Sequence, residues 1–371
     1  MRTYLDHNAT SPLRREAGQA MVAALNSHGN ASSVHEEGRK AHAAIESARD
    51  VVARSLGAIP QSIVFTSGGS ESCNQALRGV NADHIVMSAI EHPCVLEAAR
   101  AAGTRVDCVS VAGNGIIDLS ELEHVLANAH GRVLVSVMLA NNETGAIQPI
   151  RDVVSVAARY GALVHCDAVQ AFGKIPVNFG LLGVDLLSVS AHKLGGPQGV
   201  GALVVRDGLP VSPLIAGGGQ ELRRRAGTEN VAGIVGFAAA VSASGKDERR
   251  IKGLRLQVES VLQDGPGEVE IFSSDVDRLP NTVCFALPGL EADTALMALD
   301  LDGVAVSSGS ACSSGKVQPS HVLEAMQVPG AAIKSAIRVS LGWSSTVEDI
   351  ERFSVSWQKI ATRHLARAAA A

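Results

Sequence analysis

Short apolar, β-branched runs recur through the first part of the chain. Each is followed by a longer stretch whose apolar positions return every three or four residues. The short runs predict strands at 62–66, 84–88, 133–139, 162–166, 185–189 and 201–205. The longer stretches predict helices at 34–56, 70–78, 94–102, 119–128 and 150–160. Residues 230–262 read as one long helix or a helix pair. Beyond them the order changes to a strand at 282–286, a helix near 292–301, a strand at 336–341 and a terminal helix from Val347. Strands alternating with helices predict an α/β domain around a largely parallel sheet, and the mixed tail predicts a smaller α+β domain. Charge density rises at 246–252, which places the boundary there.

The length, 371 residues, suits two domains or one large domain with a smaller partner. The apolar share of 46% and charged share of 19% exclude a disordered chain or a fibre. Aromatic residues are only 3%, so the core must be built from Ala, Val, Leu and Ile. A net charge of −5 with no long basic run argues against a nucleic-acid partner. The uncharged run 230–245 is too short and too rich in Ala, Gly and Ser to span a bilayer, and no signal-like stretch opens the chain. The expected location is cytoplasmic. The six cysteines form no CxxC pair, so neither a metal site nor a disulfide framework is expected, and most should be buried as small apolar residues.

In open α/β sheets, ligands bind beyond the carboxyl ends of the strands. Here those ends are polar. The strand at 62–66 runs into Ser67-Gly68-Gly69-Ser70 and then a helix, which reads either as a phosphate cradle or as a plain turn capped by Ser70. The next strand ends at Glu91-His92, and another at Asn141-Asn142-Glu143-Thr144-Gly145, which is also ordinary turn chemistry. Asp167 follows an apolar strand and suits a cationic ring nitrogen or a helix N-cap. Lys193, in Ser190-Ala191-His192-Lys193-Leu194-Gly195-Gly196, is poorly placed for a surface charge and well placed for a Schiff base. A phosphate cradle, an acid for a ring nitrogen and an imine-forming lysine on successive strand ends are what pyridoxal phosphate requires.

Near the C-terminus, Cys312 lies in Ser308-Gly309-Ser310-Ala311-Cys312-Ser313-Ser314-Gly315, where nothing packs around it. An exposed thiol on a mobile loop is a candidate nucleophile. Arg338 sits inside an apolar strand and needs an anion, either an internal carboxylate or that of a substrate.

These motifs, in this order and nearly end to end, resemble the pyridoxal-phosphate-dependent cysteine desulfurases of the class V aminotransferase group. The resemblance also rests on Tyr4-Leu5-Asp6-His7-Asn8-Ala9-Thr10, Gly217-Gly218-Gly219-Gln220-Glu221 and Arg225-Ala226-Gly227-Thr228. The Ser-Gly-Ser-Ala-Cys context is similar to the subgroup with a long, flexible nucleophile loop.

The resemblance implies a fold-type I transferase. A large cofactor-binding domain would span 11–248, with a mostly parallel seven-stranded sheet. A small domain would comprise 1–10 and 249–371 and carry the nucleophile loop at about 307–320. It implies that Lys193 forms the imine, His92 stacks on the ring and moves protons, Asp167 pairs with the ring nitrogen and Gln170 with the phenolic oxygen. Gly69, Ser70, Ser190 and His192 would hold the phosphate, with Thr228 from the partner subunit of a homodimer. Asn142 and Arg338 would bind the carboxylate of L-cysteine. Cys312 would take its sulfur as a persulfide, releasing L-alanine, and pass it to an acceptor such as an iron–sulfur scaffold protein. No metal is implied.

The chain departs from the family pattern at several positions. Ser70 stands for a usual Thr, Ala31 for a common Pro, Cys73 for a frequent Asn, and Leu222-Arg223 for a usual Arg-Gly pair. On the same scaffold, a selenocysteine lyase or an aminotransferase is the alternative, and the latter has no need of Cys312. A cofactor-bearing assembly partner with weak turnover is the alternative of another class.

Overall fold

The computed structural model describes residues 2–309 and 319–370. A short strand, β1 (Thr3–Tyr4), opens the chain. Then come β2 (Ile63–Thr66), β3 (His84–Ser88), β4 (Arg105–Val109), β5 (Val133–Ser136), β6 (Leu163–Asp167), β7 (Leu186–Ser190) and β8 (Gly201–Val205). These seven form one sheet in the order β2-β8-β7-β6-β5-β3-β4. β3 to β7 pair in parallel, while β8 runs antiparallel to both β2 and β7. The carboxyl ends of β2, β3, β5, β6 and β7 therefore share one edge.

Successive strand residues divide between two cores. Ile63, Phe65, Val86, Val133, Val135, Val204 and Leu187 pack on one face. Val64, Ile85, Met87, Leu134, Leu186 and Leu203 pack on the other. Both faces are covered, so these strands carry unbroken apolar runs rather than alternating ones.

The helices expected between the strands form as Glu36–Ser55, Gly69–Gly79, Pro93–Ala101, Leu119–Ala127 and Ile150–Arg159. The 230–262 region is a helix pair, Val231–Ala243 and Glu248–Gln263, separated at Gly245, whose φ of 76° no helix continues through. Besides several short strands and helices, two elements of the large sheet and its helical cover were not foreseen. β4 is partly exposed and reads Arg-Val-Asp-Cys-Val, without an apolar run. The helix Arg15–Leu25 buries only Ala17 along its length.

The second sheet is built from β9 (Glu270–Ile271), β10 (Thr282–Ala286), β12 (Ser307–Ser308) and β13 (Ala336–Ser340), in the order β12-β13-β10-β9 and antiparallel throughout. β1 pairs in parallel with β11 (Val304–Ala305), so the N-terminal residues join this part of the molecule. Its core gathers Phe285, Phe353 and Trp357 with the inner face of the terminal helix Val347–Ala370. Among the described residues, no helix is long and apolar enough to cross a membrane.

Candidate active site

The shared strand edge opens into a cavity of about 280 Å³. Ten predicted residues line it: Gly69, Ser70, His92, Asn142, Asp167, Gln170, Ser190, His192, Lys193 and Arg338. Beyond its mouth a more open hollow runs over Ser67, Gly68, Gly69 and Ser70 at the start of the helix Gly69–Gly79. There the backbone must come close. A Cβ on Gly69 would lie 2.8 Å from the Val169 side chain. Glu71, in the first turn of that helix, accepts from Ser67 N and is clamped by Arg225 at 2.9 Å.

Asp167 ends β6 and is not a helix cap. It accepts from Val169 N at 2.9 Å, and its carboxyl is raised to about 6, chiefly by burial and then by the nearby Cys94. A cation placed beside it would restore the ionised form. His92 caps the helix Pro93–Ala101, its Nδ1 accepting from Cys94 N at 3.1 Å, which leaves the ring proton on Nε2 in the neutral form. Burial, with Lys193 and Lys174 nearby, lowers His192 to about 4, so it is neutral at physiological pH; it faces Thr10 Oγ1 at 3.2 Å.

Lys193 follows β7 in a short 3₁₀ turn, Ala191–Lys193. Its Nζ donates to the carbonyls of Asn8 (2.5 Å) and Ala9 (2.8 Å). Arg338 is 1% exposed and donates to Asp6 Oδ1 at 2.7 Å and Asn142 O at 3.0 Å, while its Nε has no partner among the described residues. Both readings of this arginine therefore coexist: it has an internal carboxylate and it faces the cavity. The paired asparagines divide likewise. Asn141 makes the turn, accepting from Glu143 N and Thr144 N, and Asn142 lines the cavity.

The aminotransferase class-V family model matches residues 3–353. This chain belongs to that family. Its similarity to cysteine desulfurases within the family is extensive. The cysteine desulfurase IscS of Dictyoglomus turgidum is 43% identical over 361 residues, covering 94% of this chain and 91% of that protein. The IscS-like cysteine desulfurase of Mycobacterium tuberculosis is 39% identical, covering 94% and 93%. Among solved structures, the NifS-like protein of Rickettsia africae is 37% identical with a TM-score of 0.90, covering 97% of this chain and 99% of its own. SspA, solved in complex with cysteine, is 32% identical with a TM-score of 0.81, covering 91% and 98%.

As a class-V family member of the fold-type I architecture, the enzyme depends on pyridoxal phosphate. The residues present fit that group. Among the described residues, Ser190 Oγ is buried without a hydrogen-bond partner beside the open hollow, and Asp167 is a buried acid with no lysine or arginine ion pair. Lys193 reaches into the same cavity.

Two predicted residues are not in the cavity wall. Thr228 is exposed in the turn that precedes the helix Val231–Ala243. Cys312 lies outside the described residues.

The fold also brings in residues that sequence reasoning gave no role. Asn8 accepts Lys193 on its carbonyl and Lys174 Nζ on its side chain at 2.7 Å, and Lys174 also donates to Gln170 Oε1 at 2.7 Å. The Gln170–Lys174 spacing of one helical turn was the available signal. Cys94 lines the cavity beside the buried Cys73, and its thiol is lowered through its hydrogen bond to Cys73, which outweighs burial.

Proposed function

We infer that this protein is a pyridoxal-phosphate-dependent cysteine desulfurase. It converts L-cysteine to L-alanine and leaves the sulfur as a persulfide on Cys312. The observation that carries the reading is the convergence of Lys193, Asp167, His92 and Arg338 on one small cavity at the sheet edge, beside a glycine-rich helix start. The substrate class is supported by the names of the relatives and by the cysteine complex of SspA.

In this reading Gly69, Ser70, Ser190 and His192 hold the phosphate, joined by Thr228 from the partner subunit of a homodimer. Bound to Lys193, the cofactor supplies an electron sink for the pair released at the substrate Cα. The residues do the rest. Asp167 stays ionised and keeps the ring nitrogen protonated. Gln170, its Oε1 held by Lys174 Nζ at 2.7 Å, meets the phenolic oxygen. Asn142 and Arg338 hold the substrate carboxylate, where a bidentate guanidinium fixes orientation as well as charge. Lys193, once displaced, carries the proton at Cα, and His92 serves the protons around the ring. The Cys312 thiolate attacks the substrate sulfur. The S–S bond forms as the Cβ–S bond breaks, and the pair left on Cβ is protonated on the way to alanine.

Chain reach supports Cys312. Ser307 pairs with Arg338 across β12 and β13, and Ser308 with Ile337. Arg338 lines the cavity, so β12, four residues before Cys312, lies beside it. On the far side of the segment, Ser320 donates to Glu143 at 2.5 Å and His321 meets the Glu91 carbonyl, both beside the cavity.

The domain division at 11–248, against 1–10 with 249–371, belongs to the same proposal. So do a cytoplasmic location and an acceptor protein such as an iron–sulfur scaffold. The test is alanine and persulfide formation from L-cysteine by purified wild type, Cys312→Ser and Lys193→Ala. Wild type should form alanine with one labile sulfur on Cys312, and both variants should fail. Full alanine formation by Cys312→Ser would overturn the nucleophile. A coloured wild type that makes no alanine would overturn the substrate.

A further inference from the structure

Three groups of metal-ligating type meet on the floor of the cofactor cavity. The Sγ atoms of Cys73 and Cys94 and a carboxylate oxygen of Asp167 all lie within 4.8 Å of one another. They come from three separate elements: the helix Gly69–Gly79, the helix Pro93–Ala101 and the end of β6. Each element is packed into the core of the main sheet, so the trio is held by rigid secondary structure rather than by loops. No sequence spacing advertises it, because Cys73 and Cys94 are 21 positions apart and Asp167 is far beyond both.

We propose that Cys73, Cys94 and Asp167 form a binding site for a thiophilic divalent cation of the zinc type, and that this cation and pyridoxal phosphate exclude one another. The donor set is two thiolates and one carboxylate. That favours zinc-like ions over magnesium or calcium, which take all-oxygen shells. A tetrahedral zinc with Zn–S of about 2.3 Å and Zn–O of about 2.0 Å needs donors roughly 3.5–3.8 Å apart. The trio, within 4.8 Å of one another, has to close by about 1 Å to reach it. Cys73 is fully buried, whereas Cys94 and Asp167 face the cavity. The fourth position therefore opens into the cavity, where water can fill it. The two cysteines bind as thiolates, any thiol proton passing to solvent, and no redox change is involved. The metal would take up Asp167, the group that pairs with the ring nitrogen, which makes the two ligands competitors. The competition rests on reading this cavity as the cofactor site, while the metal site itself does not.

The test uses the full chain freed of cofactor by hydroxylamine treatment and dialysis and kept in a phosphine reductant, titrated with cobalt(II) in the absence of substrate. One equivalent should give a near-ultraviolet thiolate-to-cobalt charge-transfer band together with the intense visible bands of a tetrahedral site. Cys73→Ala and Cys94→Ala should lose the charge-transfer band and weaken binding by more than about 100-fold, beyond the effect of losing an outer-shell partner. Zinc at one equivalent should slow cofactor reloading, read from its visible absorbance, in wild type but not in Cys73→Ala. Absence of the charge-transfer band in wild type overturns the site whether or not the variants fold. Its persistence in both variants also overturns the site, because the metal would then sit on other thiols. Unchanged reloading in the presence of zinc overturns the competition. None of these outcomes depends on desulfuration, so the proposed reaction stands or falls separately.

Discussion

Replacing Glu221 with alanine should destabilise the protein by about 3–5 kcal/mol, because it strands a buried guanidinium. Arg49 and Glu221 have side chains only 6% and 3% exposed, and they meet through two parallel bonds of 2.8 Å each. Glu221 also accepts from Phe65 N at 2.8 Å, while Arg49 donates to Ile63 O and lies over the Phe65 ring. The pair thus ties the Gln220–Arg223 turn to β2, the strand that leads into the glycine-rich helix start. After truncation Arg49 keeps the Ile63 carbonyl and the half-exposed Glu46, and Phe65 N loses its acceptor inside the protein. Unfolding entropy of about 2.1 cal/mol/K per residue gives roughly 0.8 kcal/mol/K for this length, so the expected fall in Tm is about 4–6 °C. Calorimetry of the cofactor-loaded protein would measure it. A double variant, Arg49→Met with Glu221→Leu, should recover most of the loss, since an apolar pair can replace a buried ion pair without leaving a charge behind. A single-variant loss below about 1 kcal/mol, or a double variant worse than the single, would refute the reasoning.

Other outcomes follow from individual contacts. Burial raises the Glu143 carboxyl to about 7, against the Ser320 hydroxyl, Arg338 and His92. The folded state thus binds a proton that the unfolded state has lost. This favourable contribution is complete below about pH 4.5 and disappears as pH rises through about 7. Wild-type Tm measured against pH should decline across that window from this group, and Glu143→Gln should remove the slope. Arg223 has a φ of 63° in the left-handed region. Arg223→Gly should raise stability by about 0.5–1 kcal/mol, the relieved strain exceeding glycine's entropy cost, as a denaturant midpoint would show. Arg338→Lys cannot serve Asp6 and a substrate carboxylate with one fork, so steady-state kinetics should show KM for L-cysteine rising about tenfold or more, with a smaller change in kcat.

What the sequence reveals follows from how burial is organised. β3, β8 and β10 fall at the expected positions because each is an apolar run buried along its whole length. β4 escapes because it is the sheet edge, where Arg105 and Asp107 meet solvent and pair with each other. The helix Arg15–Leu25 escapes for a different reason. It packs on the helix Val231–Ala243 by backbone proximity, with a Cβ on Gly236 standing 2.5 Å from Met21, so small residues do the work of an apolar stripe. The site shows the same division. Lys193, Asp167, His92 and the glycine-rich turn stand at strand ends, where topology alone brings them to one edge. Asn8 gives no such sign. It becomes the hub of two lysines only because β1 pairs with β11 and carries the N-terminus back over the cavity. Cys73 and Cys94 meet only because their helices pack side by side. Local pattern fixes the strand on which a group sits. Which groups touch across elements is decided by closure of the fold, and there two readings of one residue, as at Arg338, can both be true.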